Sequence, residues 1–77
     1  MKIDDNSLPR FAADKVAVQL SKGVQKGYSR SSWTDPDRCD TEHLHRMAEQ
    51  KLAEKDYDSA MTYCAMLSAR ERNKEAS

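Results

Sequence analysis

Residues Gly27-Tyr28-Ser29-Arg30-Ser31-Ser32-Trp33 gather a glycine, two aromatic rings, a guanidinium and three hydroxyls in one short stretch. Aromatic faces can stack a base, and a guanidinium among hydroxyls can hydrogen-bond a phosphate or a carboxylate. Lys22 and Lys26 precede this stretch and Arg38 follows it. The expected ligand- or partner-binding set is Lys26, Tyr28, Ser29, Arg30, Ser32, Trp33 and Arg38, joined by His43 and Arg46 from the start of the next helix. The competing reading makes Tyr28 and Trp33 a lid over a thin core, a common fate of a lone tryptophan.

Other chemistry is weakly supplied. Cys39 and His43 are spaced i, i+4 and can share a helix face, but His45 points roughly the other way. No fourth ligand lies nearby and there is no Cys-x-x-Cys, so no metal and no cofactor are expected. A Cys–His nucleophilic pair needs an orienting group and an oxyanion site, and neither can be read. Glu42, Glu49 and Glu54 fall on solvated helix faces, and Asp56 and Asp58 suit a helix start. Met47, Met61 and Met66 read as gap-filling core. Binding, not catalysis, is the expected activity.

The elements that position these residues are helices. In residues 41–72 the apolar positions Leu44, Met47, Ala48 and Leu52 form one stripe, and Tyr57, Ala60, Met61, Cys64 and Leu67 form a second. Glu54-Lys55-Asp56 separates them, with Asp56 a good N-cap, so the stretch predicts an antiparallel helical hairpin. Residues 44–67 should form the core, with Ala60 at the closest approach of the two helices. Upstream, a helix over 8–26 should start at Asn6 or Ser7, carry Pro9 in its first turn and end at Gly27. Its stripe is Phe11, Ala12, Val16 and Leu20, widened by Val18 and extended by Val24. Asp35-Pro36-Asp37 is a turn signal in the loop 27–40, and Asp40 or Thr41 should cap the next helix. Residues 1–6 and 73–77 read as loose ends. The expected fold is one small all-α domain of three helices.

Seventy-seven residues, 38% hydrophobic and 34% charged, make a small core. A homo-oligomer or a docking partner is expected to complete it, through apolar positions on the first or third helix such as Val18, Tyr63 and Met66. Net charge is zero, which argues against a nucleic-acid coat or a basic membrane helix. Residues 22–38 are nevertheless net basic, and residues 39–58 net acidic, a polarity that favours self-association or a polar partner. Cys39 and Cys64 lack framework spacing and read as reduced thiols, Cys64 as a small hydrophobe on its stripe. No apolar run approaches transmembrane length, and residues 1–6 lack a signal peptide's apolar core, so a cytoplasmic location is expected.

Residues 44–67 resemble a single tetratricopeptide-type hairpin. Leu44, Met47 and Ala48 stand at its large, large and small positions, and Tyr57, Ala60 and Met61 at the start of its second helix. No second copy exists, and a solenoid needs about three, so the likeness implies a packing solution only. A second resemblance is to short phage-encoded helical proteins, in which a Gly-Tyr … Trp … Asp-Pro stretch precedes a hairpin. The matching residues are Gly27, Tyr28, Trp33, Asp35 and Pro36, then His43, Leu44 and Met47. Some of those proteins stand beside nucleotide pyrophosphohydrolases, whose metal-binding Glu-x-x-Glu … Glu-x-x-Asp set is missing here. The resemblance therefore implies a phage or prophage origin and a nucleotide-sized ligand, without the enzyme's activity. Three functions are expected, in this order. The first is a non-enzymatic accessory or counter-defence protein engaging a host protein in the host cytoplasm. The second is an oligomeric protein that sequesters a phosphorylated small molecule through the 28–33 loop. The third is a degenerate nucleotide hydrolase.

Overall fold

A computed structural model describes residues 2–25, 32–34 and 39–76, the side chains of Ser32 and of 74–76 excepted. The chain is all-α. Helix α1 spans Leu8–Gln25, a 3-10 turn spans Ser32–Thr34, α2 spans Thr41–Ala53 and α3 spans Tyr57–Ala76. Among the described residues there is no strand. Helix α3 is the centre: α2, α1 and the 3-10 turn all pack on it, whereas α1 and α2 do not pack on each other.

Local chemistry sets the helix ends. The Asp40 carboxylate accepts the His43 N–H at 2.6 Å and so caps α2. At the other end the Lys55 N–H donates to the Leu52 carbonyl, and the Asp56 N–H to the Lys51 carbonyl, a Schellman closure. That closure needs a left-handed residue, and Lys55 adopts it with φ 62°. Asp56 then caps α3 through the Ser59 N–H at 3.3 Å. One three-residue connection thus ends a helix, reverses the chain and starts the next.

The start of α1 differs from the expected loose end at 1–6. Ser7 holds the cap position, its carbonyl accepting the Phe11 N–H at 3.0 Å, but its hydroxyl turns back to accept the Asp4 N–H. The Asp4 carboxylate accepts the Asn6 and Ser7 N–H groups. The result is a hydrogen-bonded turn over 4–7 that leads into the helix. At the far end, α1 passes through Gly23 without a break, and α3 runs to Ala76, beyond the expected end at Arg72.

The core is smaller than expected and turned on α3. Leu44 (1% exposed), Ala48 and Ala60 are its buried apolar residues among those described. Leu52, Tyr57 (61% exposed) and Cys64, all placed on the stripes above, face solvent instead. On α3 the covered positions are the unbroken run from Asp58 to Tyr63, followed by Met66, Leu67, Ala69 and Arg70. At 100° per residue these occupy more than half the helix circumference. A helix flanked on two sides needs two covered faces, so the expected stripe is only part of the covered arc: Ala60, Met61 and Leu67 lie within it, and Tyr57 and Cys64 lie outside. Tyr63 and Met66, offered above as positions for an oligomer contact, are half-buried for the same reason.

Candidate functional site

The connection between α1 and α2 is attached to α3 at two described points. The turn Ser32–Thr34 rests on α3 with Trp33 half-buried. Further along, Arg70 of α3 donates from its guanidinium to the Cys39 carbonyl. Arg70 is only 6% exposed. Its five fixed donors suit it to holding backbone in place, as a point-charge lysine would not. Among the described residues no buried side-chain nitrogen or oxygen lacks a hydrogen-bond partner, so this buried cation sits in a satisfied setting.

Cys39 lies beside that clamp. Burial pushes its thiol above the usual cysteine value; the Arg70 cation works against this, and the neighbouring Asp40 adds to it. A thiol held up in this way is protonated at neutral pH and is a poor nucleophile. The rest of the Cys–His grouping does not form a centre. His43 and His45 are exposed on α2, and among the described residues no group of three His, Cys, Asp or Glu side chains is placed to hold a metal ion.

Of the expected binding set, Trp33, His43 and Arg46 have described side chains, and Ser32 opens the 3-10 turn. His43 and Arg46 are exposed and one helical turn apart on α2. Lys26, Tyr28, Ser29, Arg30 and Arg38 lie outside the described residues. A strip of α1 lined by Ala17, Val18, Ser21, Lys22 and Gln25 forms a shallow surface depression.

Two buried polar residues were missed in the sequence. Thr62 spends its hydroxyl on the Asp58 carbonyl one turn back, at 3.0 Å. Arg70 had a usable signal: Ala60, Tyr63, Leu67 and Arg70 follow the 3-4-3 spacing of a buried seam. A charge at the end of such a seam invites a search for its partner.

The fold and these contacts define a small helical scaffold with a connecting segment pinned to its central helix. No protein family, characterised protein or solved structure matches the chain. Among the described residues no helix is long and apolar enough to cross a membrane.

Proposed function

We propose that this is a non-enzymatic binding protein that engages a protein partner through the α1–α2 connection and the adjoining start of α2. The observation that carries this reading is the double attachment of the connection. Trp33 and the Arg70–Cys39 contact attach to α3 a connection whose sequence carries Arg30, Arg38, three serines and two aromatic residues. Fixing the ends of a recognition segment lowers the ordering entropy lost on binding. Exposed His43 and Arg46 add polar side chains at the start of α2, directly after the connection in sequence. The resemblance to phage-encoded helical proteins makes the partner a host protein in the host cytoplasm, and the protein an accessory or counter-defence factor.

The second reading, sequestration of a nucleotide-sized phosphate ligand, rests on the stacking and phosphate-binding side chains of 28–33. A thermal-shift panel of nucleotides separates the two. A ligand that binds only the folded state raises the melting temperature by mass action. The protein-partner reading expects no shift with any nucleotide, and saturable capture of one host protein that Arg30→Ala weakens. A clear shift with one nucleotide moves the conclusion to the second reading. Undiminished capture by Arg30→Ala removes the connection from the site and leaves His43, His45 and Arg46 as the next surface to test.

A further inference from the structure

We infer that α1 carries a second seam, and that a second copy of this chain, packed antiparallel on it, is what covers it. The inner seam is Ala12, Val16, Gln19 and Gly23, all half-covered. One residue further round, Ala13, Ala17, Leu20 and Val24 repeat the same i, i+4, i+7, i+11 spacing and are exposed, Leu20 and Val24 at 40% each. This is the heptad spacing of a helix–helix contact. In the C-terminal half of α1 the solvent-facing seam is the more apolar. Leu20 and Val24 face out, while Gln19 and Gly23 face in, Gln19 accepting a hydrogen bond from Ser59 of α3 at 3.3 Å. A helix serving only this chain's own core would be expected to carry the reverse pattern.

Two observations select a second copy as the occupant. The outer seam has small residues in its first half and large ones in its second. A two-fold antiparallel pairing sets Leu20 and Val24 of each copy against Ala17 and Ala13 of the other, large against small throughout. The chain's zero net charge places no overall repulsion between copies.

Sedimentation equilibrium of the full chain from micromolar to millimolar concentration tests this, with Leu20→Glu and Val24→Lys as variants. Both positions face away from α3, and circular dichroism checks that helix content is retained. The wild type is expected to approach twice 8.8 kDa, and either variant to fall to the single-chain mass with its helix signal unchanged. Ser68→Glu, on the exposed arc of α3, should leave the doubled mass intact. A wild type that stays monomeric throughout, or a dimer that survives Leu20→Glu, overturns the inference. If Leu20→Glu lowers helix content, a mixing experiment decides: wild-type chains spin-labelled at Ala17→Cys, with Cys39 and Cys64 changed to Ser, should show label-to-label coupling across the two-fold axis, and no coupling counts against the dimer.

Discussion

Helices α1 and α2 both pack on α3, and they do so by different means. Helix α2 is capped at both ends and sends Leu44 and Ala48 fully into the contact. Helix α1 buries no residue completely. It is held by half-covered Phe11, Ala12 and Val16, by the Gln19–Ser59 hydrogen bond, and by Lys15 with Asp58 at 3.8 Å. That ion pair is solvent-exposed on both sides and contributes ~0–1 kcal/mol. The Lys15 ammonium also sits 5.5 Å from the centre of the Phe11 ring. The difference teaches where stability lies. The hairpin is joined by three residues and packs apolar surface; α1 returns across a long connection to a partly polar face. The hairpin should therefore be the more stable body, and α1 the element that opens first.

The largest test of that contrast is Leu44→Ala, which should destabilise by about 2–5 kcal/mol in a denaturant titration. Val16→Ala on α1 should cost no more than about 1 kcal/mol. Equal effects would put α1 and α2 on the same footing. Ala60→Leu, at a position 2% exposed, should overpack the core at the first turn of α3 and cost ~1–3 kcal/mol; an unchanged midpoint would show a loosely packed seam. Amide exchange should sharpen the comparison without mutation: the α2 and α3 core amides exchange by global opening, and those of α1 by a cheaper local one. Uniform protection along all three helices would break it.

Acid should act on the caps. Hydrogen bonds from Ser59 hold the Asp56 carboxyl below its usual value, helped by Lys51 and Lys22, and those from Ser7 and Asn6 do the same for Asp4. For a depressed carboxyl the stabilisation is fully present above the unfolded-state value and is lost as pH falls through the lower folded-state value. The melting temperature should therefore hold near neutrality and drop below about pH 4. Asp56→Asn keeps the capping geometry without the titration and should shrink that drop; an unaltered acid profile would show that other carboxyls carry it. The smallest effect belongs to Gly23→Ala. A Cβ built there meets nothing within 4 Å, so the change should stabilise by about 0.5–1 kcal/mol through helix propensity. A loss of stability would mean that α1 lies closer to its neighbours than the described packing.

Where the sequence could be read alone, the signal was local. Pro9, Asp40 and Asp56 marked helix starts because the groups they cap, or spare, lie within four residues along the chain. Leu44, Ala48 and Ala60 were legible as core because α2 has one neighbour and therefore one apolar face, and small residues fit where two backbones approach. The arc that α3 buries was not legible, because it depends on how many elements pack there and from which sides. With α1 and α2 both against it, α3 covers Ser59, Thr62 and Arg70, whose polar atoms find partners on Gln19, on its own Asp58 carbonyl and on the Cys39 carbonyl. It leaves Tyr57 and Cys64 in water. Hydropathy alone cannot rank those positions, since a polar group enters a core only where it finds a partner, and for Ser59 and Arg70 the fold brings that partner from 40 and 31 residues away.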